Sequence, residues 1–71
     1  MFNEKLRQLR KERKITQKEL SNILGIAQTT YAGYETGRYE PDFKILIVIA
    51  DYFMVSTDYL LGRYDNNKVA K

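Results

Sequence analysis

Read for the spacing of its apolar positions, the chain falls into five short segments with the period of an α-helix, and no run alternates convincingly enough to be a strand. Phe2, Leu6 and Leu9 stand at i, i+4 and i+7 of a first amphipathic segment over residues 2–14, with Asn3 suited to cap it. A second segment begins at Gln17 and carries Leu20, Ile23 and Leu24 as its apolar stripe. A third runs from about Gln28 to the glycine at 37. The fourth, Phe43 to about Met54, has Phe43, Leu46, Ile49, Ala50 and Phe53 on one face and a second apolar line of Ile45, Val48 and Tyr52. The last is short, Thr57 to Leu61, with Ser56 as its cap, Asp58 in its first turn and Gly62 at its end. The expected fold class is therefore all-α. Residues 1–62 form one domain, and residues 63–71 (RYDNNKVAK) have no periodicity and read as a frayed tail.

The start and stop signals are sharpest in the middle of the chain. Thr16 followed by Glu19 is a capping box, in which the hydroxyl accepts from the Glu19 N–H and the carboxylate reaches back to the Thr16 N–H. Ile15 and Leu20 flank it as a hydrophobic staple. Gly25 supplies a residue that can close the helix in a left-handed conformation, with Ile26 as the apolar contact beyond it. Gly37 ends the next helix by the same device, and Pro41 in the loop from Arg38 to Asp42 prevents that helix from continuing; Asp42 or Glu40 can cap the fourth. Two helices joined by a turn of about four residues with glycine inside it have helix-turn-helix spacing.

Charge and composition narrow the chemistry. The formal charge is +3, but residues 1–38 carry eight Lys or Arg against four Glu, while residues 39–71 carry four against five acids. The basic half coincides with the helix-turn-helix, as a phosphate-binding footprint requires, although a merely solvated basic helix has the same composition. Lys5, Lys11 and Lys14 read as solvated surface, and Lys68 and Lys71 belong to the tail. Cysteine and histidine are both absent, which removes disulfides, thiolate or zinc sites and the commonest general base. No metal, cofactor or enzyme activity is expected. The longest apolar stretch, Ile45 to Ala50, is too short to span a bilayer, and the N-terminus has no leader pattern, so a cytoplasmic protein is expected. Arg10 breaks the polar pattern of the first helix by leaning toward the core, and a guanidinium there needs a carboxylate partner.

These residues together carry a family resemblance. The run LRxLRKxxxITQxELxxxLGIxxxTxxxYExG, then a proline, then IA, then VSxDYLLG, closely resembles lambda-repressor-like, Cro/repressor-type helix-turn-helix domains and covers residues 2–62. The resemblance implies a compact five-helix domain that binds double-stranded operator DNA in the major groove, as a homodimer at least on its two-fold site. In that class the second helix of the motif, here Gln28 to Glu35, lies in the groove. Gln28 and Thr29 are then the foremost base contacts, Thr30 has base, phosphate or plain helix surface open to it, and Ala32 and Gly33 take the next groove-facing positions. The short side chains at 32 and 33 depart from the family's habit of a longer polar residue. Either the backbone approaches DNA closely at Gly33 or more discrimination comes from DNA shape. Ala27 departs too, replacing a Ser or Thr cap.

By the same resemblance Gln17 grips phosphate, with Lys18, Thr36, Arg38 and Tyr39 as further candidates at the groove margins. Arg10 and Glu35 match a structural salt bridge between the first and third helices. Tyr31 and Tyr34 match apolar core positions. The line Ile45, Val48 and Tyr52, with Tyr64, marks a homodimer or protein-partner surface, unless the last helix or the tail covers it. A competing function class is an antitoxin or regulatory interaction module in which DNA binding is secondary.

Overall fold

The computed structural model describes residues 2–63, which form five α-helices and, among those residues, no strand. They are α1 (Phe2–Glu12), α2 (Gln17–Leu24), α3 (Gln28–Thr36), α4 (Phe43–Phe53) and α5 (Thr57–Leu60). Tyr64 and the remaining tail lie outside the described residues. Most boundaries fall where local chemistry places them. Asp42, not Glu40, caps α4 by accepting from the Ile45 N–H at 3.0 Å, and Ser56 caps α5 through the Tyr59 N–H.

Two expectations at α1 are corrected. The helix ends at Glu12 rather than at residue 14, because Lys14 adopts a left-handed conformation (φ +58°) that turns Ile15 inward onto the core. Asn3 is not a cap, since the helix already begins at Phe2. Its side-chain amide instead reaches across to the Glu35 carbonyl at 3.5 Å.

The core is built from Leu6 of α1, Leu20 and Leu24 of α2, Tyr31 and Tyr34 of α3, Leu46, Ile49, Ala50 and Phe53 of α4, and Leu60 of α5. Burying each of the larger aliphatic side chains contributes about 1.5–3 kcal/mol. Helix α1 packs on α3 and α5, α2 on α3 and α4, and α4 on α5. The motif helices are thus held from both sides by elements outside the motif.

On α4 the two apolar lines merge into one broad face. Ile45 and Tyr52 pack against the core beside Leu46, Ile49 and Phe53, so the core side spans about 160° at about 100° per residue. Tyr52 is further covered by Arg13, whose guanidinium lies 5.1 Å from the ring centroid and donates to the Tyr52 carbonyl at 3.3 Å. Of that line only Val48 is exposed, at 39%. Phe43 was expected inside and stands 85% exposed, because at the first position of α4 it lies beyond the edge of the core arc. Ile23 is likewise half exposed on α2, where Ser21 takes the buried place between Leu20 and Leu24 and donates its hydroxyl to the Lys18 carbonyl.

Candidate nucleic-acid interface

The motif is assembled by three local devices. At the start of α2, Thr16 Oγ1 accepts from the Glu19 N–H at 3.0 Å and Glu19 Oε1 accepts from the Thr16 N–H at 2.8 Å, which completes the capping box. The turn is made by Gly25 at φ +72°, after which the Ile26 N–H bonds back to Ser21. At the start of α3, Ala27 makes no side-chain cap, so no side chain competes for that helix's first N–H groups.

The unit is then clamped to α1 through a buried carboxylate. Glu35 accepts from Arg10 Nε at 2.6 Å and Arg10 Nη2 at 3.2 Å, from Gln17 Nε2 at 3.0 Å, and from the Tyr31 hydroxyl in a short hydrogen bond. Arg10 Nη1 also donates to the Ile15 carbonyl at 2.9 Å. The Arg10 and Glu35 side chains are only 12% and 4% exposed. Burial alone would raise the Glu35 pKa, but hydrogen bonds from Arg10, Tyr31 and Gln17 outweigh it and hold the carboxyl below its ordinary value. Its bond to Glu35 raises Arg10 against the opposing effect of burial, and burial followed by the bond to Glu35 raises Tyr31. A charged, fully partnered network therefore links α1, α2 and α3.

Around this clamp the candidate residues divide. Gln28 and Thr29 are exposed at the first turn of α3, and Ala32 and Thr36 continue the outward face from Gln28 at i, i+4 and i+8. Thr30 is half-buried. Thr36 returns its hydroxyl to the Gly33 carbonyl at 3.2 Å. Lys18, Arg38 and Tyr39 are exposed at the margins. Gln17 spends one amide N–H on Glu35, and a primary amide has a second N–H and a carbonyl oxygen to offer.

Gly33 is corrected. It is buried, and the Tyr39 ring lies against it so closely that a Cβ at this position would stand 2.1 Å from Tyr39 Cδ2. Its backbone is therefore not open for close approach to DNA, and the second turn of α3 is covered on that side rather than bare.

Arg7 is not among the candidate residues read from the sequence, and it stands exposed on α1. With Arg10, Gln17, Glu35 and Thr36 it lines a cleft of about 220 Å³ between α1 and the two motif helices. Its spacing of three from Arg10 carried that information, since i and i+3 share a helix face.

Comparisons with known proteins bear on the same stretch. The family described as helix-turn-helix domain matches residues 3–66. The uncharacterized HTH-type transcriptional regulator YqaE of Bacillus subtilis (strain 168) is 46% identical over 69 residues, which are 97% of this chain and 60% of that protein. The cryptic phage CTXphi transcriptional repressor RstR of Vibrio cholerae is 33% identical over 67 residues, 94% of this chain and 60% of its own length. The chain thus spans about 60% of the length of these curated relatives. Among solved structures, a transcriptional regulator from Listeria innocua matches with a TM-score of 0.86 at 33% identity, covering 93% of this chain and 62% of that one. The P22 c2 repressor protein in complex with a synthetic operator matches with a TM-score of 0.84 at 28% identity, covering 90% of this chain and 97% of that one. With its capped two-helix motif, its Arg10 to Glu35 clamp and a family match over nearly all its length, the chain belongs to the Cro/repressor-type helix-turn-helix domain family.

Proposed function

We propose that this chain is a sequence-specific DNA-binding transcriptional regulator that seats α3 in the major groove of a two-fold operator as a homodimer. The observation that carries this reading is the outward first turn of α3: Gln28 and Thr29 stand exposed on a helix whose inner face is locked by Glu35 to α1 and α2. The likeness to a repressor bound to its operator supports the same docking. Gln28 then pairs with adenine N6 and N7, and Thr29 offers a methyl group to thymine and a hydroxyl to a base edge.

Positioning falls to the phosphate contacts. Gln17 presents its second N–H at the N-terminus of α2, where the helix dipole favours an anion, and Lys18, Arg38 and Arg7 add charge on both sides of α3. Two copies on a two-fold site also need a self-complementary surface. Exposed Ile47 and Val48 on α4 supply apolar area for it.

Binding to random duplex DNA across a salt series tests the proposal. Three cations at phosphates predict a slope of log affinity against log salt of about −3 per protomer. Absence of binding at low salt would refute it.

A further inference from the structure

We infer that Tyr39, packed over Gly33, reads base pairs beside those read by Gln28 and Thr29, and so does the work of the side chain that position 33 lacks. The inference rests on the groove docking proposed above. Gly33 lies one turn beyond Thr29, at the border of the outward face of α3. A side chain there would project from that border, yet the volume it would fill already belongs to the Tyr39 ring. A Cβ on Gly33 would lie 2.1 Å from Cδ2 and 2.7 Å from Cε2, far inside non-bonded contact between carbon atoms. Glycine at 33 and tyrosine at 39 are thus one arrangement, in which the ring replaces the missing side chain.

The ring is held there by backbone. Gly37 closes α3 at φ +82° and turns the chain back. The N–H groups of Gly37, Arg38 and Tyr39 then all point at the Gly33 carbonyl, the last two at 2.9 and 3.1 Å. Tyr39 is therefore fixed on the flank of α3 by the C-terminal turn of that helix, not carried by a loose loop. Half of its surface (50%) remains exposed. One ring edge rests on Gly33, and the exposed half of the residue is open to a partner. A tyrosine in that position offers an apolar ring to a thymine methyl group and a hydroxyl that donates or accepts at a base edge, and it brings no charge that would favour phosphate over base. Arg38, with its guanidinium 6.0 Å from the ring centroid, stands beside it as the phosphate-facing partner.

The test uses the wild type, Tyr39→Ala, Gly33→Ala, the double variant and Gln28→Ala. Each is assayed by selection of bound sequences from a random duplex pool, then by affinity for the selected site and for a scrambled duplex, with thermal melts to confirm folding. Tyr39→Ala is expected to lose the preference at base pairs adjoining those governed by Gln28, and to weaken the selected site about 10-fold or more while leaving the scrambled duplex within about two-fold. Gly33→Ala, which gains helix propensity and whose folding the melts establish, is expected to expel the ring and reproduce that loss. Adding it to Tyr39→Ala should cost little more. Equal weakening of selected and scrambled DNA by Tyr39→Ala would make Tyr39 a phosphate contact and overturn the inference, as would no change on either. If Gln28→Ala shifts a base preference and Tyr39→Ala does not, the Tyr39 assignment alone fails; if neither does, the groove docking itself fails.

Discussion

Replacing Arg10 by alanine tests the clamp that orients the motif. The substitution removes two hydrogen bonds to the Glu35 carboxylate and one to the Ile15 carbonyl, and leaves Glu35 buried with only Gln17 and Tyr31 as donors. Breaking a buried ion pair by deleting one partner costs about 3–5 kcal/mol. The two remaining donors place this case at the lower end, so a loss of about 3 kcal/mol is expected. For a domain of this size that is a fall in Tm of roughly 12–24 °C. Urea unfolding followed by circular dichroism at neutral pH measures it.

The pH dependence carries the sign. Glu35 titrates below its ordinary value in the folded protein, so the unfolded state binds the proton first as pH falls. The clamp's contribution is fully present above the unfolded glutamate pKa of about 4.3 and is lost as pH drops through the folded value. Arg10→Ala therefore costs most at neutral pH, and its difference from wild type shrinks in acid, where Glu35 is protonated in both proteins. A loss below about 1 kcal/mol at pH 7, the range of an exposed pair, or a difference that does not change with pH, would refute the argument.

Two further outcomes follow from the same geometry. Thr16→Ala removes one half of the capping box and should lower stability by about 1 kcal/mol in urea unfolding, with Thr16→Ser close to wild type. Val48→Asp places a charge on the exposed side of α4 and should weaken self-association in sedimentation while leaving the thermal melt near wild type; unchanged association would remove α4 from the dimer contact.

What the sequence made legible was local. Thr16 with Glu19, Gly25 and Gly37 are capping signals that act within a few residues, and they place α2, the turn and α3 where the structure has them. Arg10 announced a need for a carboxylate from periodicity alone, and the resemblance named Glu35. The misreadings involve edges and returns of the chain. Phe43 shares a helical face with Leu46 but sits at the helix's first position, past the rim of the core. Ile45 and Tyr52 looked like a separate stripe because periodicity does not give the width of the surface that α4 meets. Gly33 looked bare because the ring that covers it comes from Tyr39, beyond a glycine turn whose direction no spacing rule supplies. The bond from Gln17 to Glu35 was hidden for the same reason, since it needs α2 and α3 already packed, whereas Tyr31 reaches Glu35 along α3 itself at i and i+4.

In the proposed docking α3 reads bases through its first turn while the start of α2 grips backbone. Affinity of wild type, Gln28→Ala and Gln17→Ala for a selected operator and its single-base-pair variants tests this most directly. Gln28→Ala should lose about 1–3 kcal/mol of discrimination at particular base pairs, whereas Gln17→Ala should weaken every site alike. If Gln28→Ala lowers all sites equally and Gln17→Ala changes which base is preferred, the assignment of the two helices is wrong.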